Sequence, residues 1–329
     1  MKAVGADFNF LCGILRSREA SLVSRQKLES ILAAGGSAAL QALEGPFGDG
    51  TRSLPGVEGI EAGYRAEIAE VSELLRYSPK EDFTRLVLLP WDFHNLKVAV
   101  LRKLDGRGGE DLFGPEGEVS TAALTGMAAN MESSGLPSLM QKALQDAMKA
   151  YYDGDKDSQG FEVSLDRQKQ IALETLSKQL SHAIHAHYVT VSDISVADVF
   201  FRAFFSRLPW KSVSPGFMDH PDAARLKLLF NLKVGDWGGH LAGISRKALR
   251  RLILSVSTAE GGAAAVARAR HDHLMSLSSW SYKPPSMEYA FYFLTRKLAD
   301  LYNLRLVLLG ALGRVPETDI RNRINDAFI

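Results

Sequence analysis

Apolar residues recur along most of this chain with the period of an α-helix. In "GIEAGYRAEIAEVSELLRYSP", for example, Ile60, Tyr64, Ile68 and Val71 share one helical face. Strict alternation of apolar and polar residues, the mark of a half-buried strand, is nearly absent. The one weak strand candidate is "HYVTVSDISV" near residue 190. The pattern therefore predicts an all-α protein.

Local signals place several helix ends. "SPKEDFTRLVLL" begins with Ser78 as a cap and Pro79 at the first helical position. "SLDRQKQIALETLSKQLSHAIHAHYV" is predicted as one long helix capped by Ser164, and "SRQKLESILAAGGSAALQALEG" as two short helices broken at Gly35-Gly36. "PPSMEYAFYFLTRKLADLYNLRLVLLGALG", entered through Pro284-Pro285, has the length of a helix of roughly seven or eight turns.

One pattern occurs three times. "DFHNLKVAVLRK" starts at Asp92, "DAARLKLLFNLK" at Asp222 and "DLYNLRLVLLGA" at Asp300, and all fit D-x-x-[NR]-L-[KR] followed by mostly apolar residues. Starts that lie 130 and 78 residues apart are too uneven for a solenoid. Three diverged copies of one helical unit explain the spacing, and the loops between helix groups suggest units at 1–112, 113–238 and 239–329.

The acid of each copy, Asp92, Asp222 or Asp300, falls inside the apolar arc of a helical wheel and needs a partner. Two interpretations stay open. The acid forms a salt bridge or a cap that fixes helix register, or three units surround an axis and present charges to something inserted there.

The other motif positions carry a shared base and a variable polar residue. The bases Lys97, Lys227 and Arg305 share one wheel angle, so they either line a central wall or pair between units with acids such as Asp92, Asp222 and Asp300; pairing between units is the favoured interpretation. The second copy departs from the pattern, with Arg225 where the others have Asn95 and Asn303.

Composition excludes several classes of protein. The chain has 329 residues, 39 of them basic and 38 acidic, and a formal net charge of +1, which argues against a general nucleic-acid binder. One cysteine, Cys12, permits no intramolecular disulfide and suggests a reducing compartment. The most apolar stretch, around Arg305, is shorter than the roughly 20 residues of a membrane-spanning helix. We read no signal peptide at the N-terminus.

Candidate chemistry is sparse. No G-x-x-x-x-G-K-[ST] phosphate loop is present. His182 and His185 share a helix face and could hold a metal, but no acid or cysteine nearby completes the set. We therefore expect no catalytic, cofactor-binding or metal site.

Four segments, in this order, resemble one family. They are "FNFLCGILRSREASLV", "DFHNLKVAVLRKLDG", "LPSLMQKALQDAMKAYYDGDKDSQGFEVSLDRQ" and "MEYAFYFLTRKLADLYNLRLVLLGALGRVPETDIRNRI". They are similar to the C-type subunits of V-type and archaeal A-type ATPases and ATP synthases, a family that includes the d-type subunits of eukaryotic V-ATPases. The resemblance covers nearly the whole chain.

The resemblance implies a funnel of three similar helical units around a pseudo-threefold axis. It also implies a non-catalytic rotor part of the central stalk, a socket between the central shaft of the ATP-hydrolysing head and the proteolipid ring of the membrane sector. Such a protein is expected to be cytoplasmic and peripheral on the membrane, with no nucleic acid as partner. The alternatives are an unrelated helical adaptor built from a triplicated unit, and a helical metalloenzyme using His182 and His185.

Overall fold

The computed structural model describes residues 7–34, 48–50, 54, 56–106, 109, 112–154, 156–256, 259–313 and 315–320. Its α-helices are α1 (Phe8–Ser17), α2 (Arg25–Ala34), α3 (Gly56–Leu75), α4 (Glu81–Asp105), α5 (Thr121–Asn130), α6 (Ser138–Asp153), α7 (Ser158–Leu180), α8 (His182–Phe205), α9 (Trp210–Val213), α10 (Ala223–Phe230), α11 (Lys247–Leu254), α12 (Ala259–Leu277) and α13 (Met287–Leu312). Short 3₁₀ helices cover Glu19–Ser21, Ser214–Phe217, Val234–Gly243 and Ser278–Tyr282. The predicted short helix after Gly36 lies outside the described residues.

The all-α prediction is confirmed, because the described ranges contain helices and no strand. The segment "HYVTVSDISV", the weak strand candidate, lies inside α8. Its β-branched residues lower helix propensity only slightly, and α8 packs against α7 and α11, which buries Tyr188 and Ile194. Tertiary packing therefore decides the conformation of this segment.

Helix α13 begins and ends close to where the sequence places it. The Ser286 hydroxyl accepts a hydrogen bond from the backbone N–H of Tyr289 at 3.3 Å, directly after Pro284-Pro285. Helix α4 begins at Glu81, slightly later than predicted, and the Ser78 hydroxyl accepts the N–H of Lys80 at 3.3 Å.

The long helix predicted from Ser164 is two helices with a different start. Asp157 caps α7 by accepting the N–H of Gln159 at 3.0 Å, so Ser164 lies inside the helix, where it is buried. Ser181 has φ −154° and ψ 136°, an extended conformation that ends α7 before α8 begins at His182. The apolar period continues across this residue, which is why the pattern alone hides the break.

The chain divides into two compact units. The first comprises 1–84 and 270–329, and the second comprises 85–269. In the first unit α13 packs against α1, α2 and α3. In the second, α7 packs between α6 and α8, and an aromatic cluster around Phe200, Phe204 and Trp237 forms the core next to α10. The three units expected at 1–112, 113–238 and 239–329 stay a prediction.

Candidate functional site

In the first copy of the motif, in the middle of α4, side chains form hydrogen bonds with the backbone of the loop that precedes α5. Both side-chain oxygens of Asp92 accept backbone N–H groups, from Val119 at 3.0 Å and from Glu118 at 3.1 Å. The Asn95 amide accepts the N–H of Gly114 and donates to the carbonyl of Pro115, each at 2.8 Å. Two buried side chains therefore fix four backbone groups of the segment that leads into α5.

The loop must come very close to Asp92, and a glycine makes this possible. A Cβ atom on Gly117 would lie 2.2 Å from Asp92 Oδ1. Asp92 itself is only 1% exposed. Burial raises the pKa of the Asp92 carboxyl to about 6, because the N–H donors of Val119 and Glu118 offset only part of the lost hydration.

The third copy, in the middle of α13, holds the segment before α2 in a related way. Asp300 accepts the backbone N–H of Val23 at 3.1 Å, and the guanidinium of Arg296 lies 2.9 Å from Asp300 and 3.4 Å from the Val23 carbonyl. Burial raises the pKa of the Asp300 carboxyl to about 6, although the positive charge of Arg296 acts to lower it. Asn303 is fully buried, and its amide has no hydrogen-bond partner among the residues described.

The second copy has a different helical setting. Asp222 immediately precedes α10, a helix of eight residues, and does not lie in the middle of a long helix. Its carboxylate accepts the N–H groups of Ser245 at 2.7 Å and Arg246 at 3.1 Å. The Arg225 guanidinium packs over Gly243, where a Cβ would lie 2.7 Å from Nε. The helical setting of Asp222 therefore differs from that of Asp92 and Asp300, which lie inside long helices.

All three acids nevertheless share one contact. Each accepts the backbone N–H of the residue two positions before a helix begins: Val119 before α5, Ser245 before α11, and Val23 before α2. A carboxylate near the first turn of a helix also interacts favourably with the helix dipole. The acids therefore fix the points where these helices begin.

The bases of the motif make ion pairs with acids other than those expected. Lys97 Nζ lies 2.6 Å from Asp166 on α7, and Arg305 lies 2.7 Å from Glu61 on α3. Burial opposes ionisation of Asp166, but the ammonium groups of Lys169 and Lys97 hold its pKa below the usual range. Asp92 and Asp300 are not the partners of Lys97 and Arg305, because their carboxylates turn toward backbone N–H groups. Lys227 is exposed and forms no ion pair within the described ranges.

The structure adds a buried polar network that sequence reasoning missed. His220 accepts the N–H of Asp222 at Nδ1, so its Nε2 carries the proton and faces Asp193 at 3.4 Å. Arg246 reaches Asp193 at 3.8 Å and Glu174 at 3.4 Å. Asp193 follows the start of α8 by eleven residues, just as Asp92 follows the start of α4, but the sequence pattern does not show where α8 begins.

A second missed feature is an ion pair inside the first unit. Lys297 Nζ on α13 lies 2.6 Å from Glu67 on α3, and both side chains are almost completely buried. No periodic motif connects the two residues, so only the packing of α3 on α13 reveals the pair.

The histidines show no geometry for a metal. The Nδ1 atom of His185 lies 3.1 Å from the backbone carbonyl of Glu174, and His182 is exposed at the first position of α8. In the described part of the chain, no group of three or more His, Cys, Asp or Glu side chains is arranged to hold a metal ion.

Comparison with known proteins places this helical chain in a protein family. The family model described as "ATP synthase (C/AC39) subunit" matches residues 11–323. The C-type subunit of the A-type ATP synthase of Methanothermobacter thermautotrophicus is 25% identical over 276 residues, covering 75% of this chain and 69% of that protein. The chain belongs to the C/AC39 family of V- and A-type ATPases and ATP synthases. Members of this family have a structural rather than a catalytic role. Among the described helices, none is long and apolar enough to span a membrane.

Proposed function

We propose that this chain is the socket of a rotary ATPase or ATP synthase, joining the central shaft of the ATP-hydrolysing head to the proteolipid ring. It acts as a rigid, non-catalytic rotor part on the cytoplasmic side of the membrane. Family membership supports a role inside the complex. The finer role rests on one structural observation, the order in which the motif acids hold the helix starts.

That order is cyclic. The acid near the end of the first predicted unit holds the segment before α5, the acid of the second holds the segment before α11, and Asp300 of the third holds the segment before α2. With unit bounds as predicted from the sequence, these contacts would tie each unit to the next and the last to the first. Closure of three units around a pseudo-threefold axis requires this connectivity.

The ion pairs follow the same order. Lys97 of the first predicted unit pairs with Asp166 of the second, and Arg305 of the third pairs with Glu61 of the first. These contacts favour the interpretation that the bases hold neighbouring units together. In this proposal the three units close into a ring, and a closed ring of helices would resist twisting, as a part that transmits torque must.

Lys227 is the exception, because it is exposed and unpaired within the described ranges.

We expect Lys97→Gln and Arg305→Gln to lower the free energy of unfolding by about 0.5–1 kcal/mol each, since both pairs are partly exposed. Lys227→Gln should leave unfolding unchanged within about 0.5 kcal/mol. Equal effects of all three substitutions would contradict the distinction between paired and free bases.

Membranes from cells lacking this chain test the role directly. We expect the head to retain ATP hydrolysis while ATP-driven ion transport into inverted vesicles is lost, and purified chain should restore transport without hydrolysing ATP alone. Retained transport without the chain would exclude the socket role. Loss of hydrolysis together with transport would point to an assembly factor instead.

A further inference from the structure

One segment of the second unit is strongly basic although the whole chain is nearly neutral. Residues 223–254, from α10 to α11, contain seven Lys or Arg residues and one acid, Asp236. The segment therefore has a formal charge of +6, whereas the whole chain has +1. The remaining residues are net acidic, so the positive charge is concentrated in this region.

Six of these seven bases are not used in ion pairs. Arg246 contacts Glu174 and Asp193, but the other six form no ion pair with the part of the chain that the structure describes. Five are exposed and Arg250 is half-buried. We call the side chains of these six the basic face: Arg225, Lys227, Lys233, Lys247, Arg250 and Arg251.

Helix α11 presents its bases on one side. Leu249, Leu252 and Ile253 are buried in the core, so the opposite side of this eight-residue helix carries Lys247 and Arg251. Leu254 lies among these bases and is 62% exposed. Because Leu254 is exposed on the side opposite the core, it does not contribute to core packing.

Helix α10 also exposes bases and a leucine. Leu226 and Leu229 face the core, while Leu228 is 38% exposed beside Lys227. The starts of α10 and α11 are held together, because Asp222 accepts the N–H groups of Ser245 and Arg246. The bases of the two helices therefore lie in one region of the second unit.

We propose that the basic face binds an anionic lipid surface, with Leu254 and Leu228 entering the headgroup region. Clusters of four to eight Lys or Arg residues bind acidic headgroups with roughly 1 kcal/mol per residue near the bilayer. Exposed leucines favour lipid over nucleic acid, because a phosphate backbone offers no apolar phase. Protein interfaces generally use exposed aromatic anchors. In this segment, by contrast, the exposed large apolar side chains are Leu228 and Leu254, and Trp237 is buried.

This contact is separate from the proposed socket role, since it concerns lipid headgroups rather than the shaft or the ring. Its test is flotation of the full-length protein with vesicles of phosphatidylcholine, with or without phosphatidylglycerol. We expect binding only to the anionic vesicles, weakening as salt rises. The triple variant Lys247→Gln, Arg250→Gln, Arg251→Gln should bind at least about tenfold more weakly, because roughly 1 kcal/mol per residue corresponds to as much as about 100-fold for the three together.

A matched control removes the same charge elsewhere. Lys27, Arg65 and Lys80 are exposed bases of the first unit, and changing all three to Gln should leave vesicle binding within about twofold of wild type. Far-ultraviolet circular dichroism checks that both variants are folded. Equal weakening in both variants would show a response to net charge alone and would overturn the proposal.

Leu254→Gln separates lipid from other polyanions. It should weaken vesicle binding several-fold but leave binding to polyglutamate or duplex DNA unchanged, because only a bilayer accepts the leucine. The proposal fails if wild type binds polyglutamate and not the anionic vesicles, which would identify an acidic polypeptide as the partner. Binding to DNA alone would equally exclude a lipid surface.

Discussion

Asp92→Asn probes the balance between burial and hydrogen bonding at the first motif. The substitution keeps the shape of the side chain but replaces one acceptor oxygen by an NH₂ group. One of the N–H groups of Val119 and Glu118 then faces a donor. Because hydrogen bonds to charged groups contribute about 1.5–3 kcal/mol and the buried charge is also removed, we expect a net loss of about 1–2 kcal/mol at pH 7.

The pH dependence of this loss is more diagnostic than its size. The pKa of Asp92 is raised from 3.8 to about 6, so the folded state binds the proton before the unfolded state does. The carboxyl therefore destabilises the fold when ionised, and stability increases as pH falls through 6 toward 4. Between pH 7 and pH 5 this gain is about 1 kcal/mol for wild type. The Asn variant lacks it, so the difference between the two proteins should widen at pH 5.

The assay is urea unfolding followed by circular dichroism at both pH values. Asp236→Asn, which removes an exposed acid from the same unit, is the control and should show no widening. If the difference between wild type and Asp92→Asn instead narrows at pH 5, the carboxylate is stabilised by its N–H donors more than it is penalised by burial. The pKa of Asp92 in the folded protein would then lie below 3.8, contrary to the prediction.

Two further substitutions test packing. Gly117→Ala should lower the free energy of unfolding by about 2–3 kcal/mol, because the new methyl group would meet the buried Asp92 carboxylate. The control is Gly126→Ala in α5, where a Cβ has open space. In the same unfolding assay it should be neutral or stabilising by up to about 1 kcal/mol. Equal effects of the two would contradict the close approach. Lys297→Met should cost about 3–5 kcal/mol by leaving Glu67 buried without its partner, and adding Glu67→Leu should recover most of this loss. A double variant as unstable as the single one would show that the pair itself is required.

Long helices with local end signals were predictable from the sequence. Helix α13 follows from an uninterrupted apolar period after Pro284-Pro285 and a serine cap at Ser286, all within a few residues of one another. The break at Ser181 was not predictable in the same way, because the apolar pattern continues on both sides and only packing of α7 against α8 requires a change of direction.

The motif positions were predictable, but their partners were not. The need of Asp92 and Asp300 for a partner follows from their place in an apolar arc, whereas the identity of the donors depends on contacts 27 and 277 residues away in sequence. Two apolar segments also compete for the second copy. The segment "DAARLKLLFNLK" matches the residue types of the motif, whereas Asp193 matches the position of Asp92 within its helix. A motif defined by residue types alone does not include the position within a helix.

The socket role can be tested by electron cryomicroscopy of the intact ATPase complex, purified through a tag on this chain. We expect one copy per complex, with its helices arranged as a closed funnel between the foot of the shaft and the proteolipid ring. Density for the chain on the outside of the head, or a complex that lacks the ring or the shaft, would contradict the socket role.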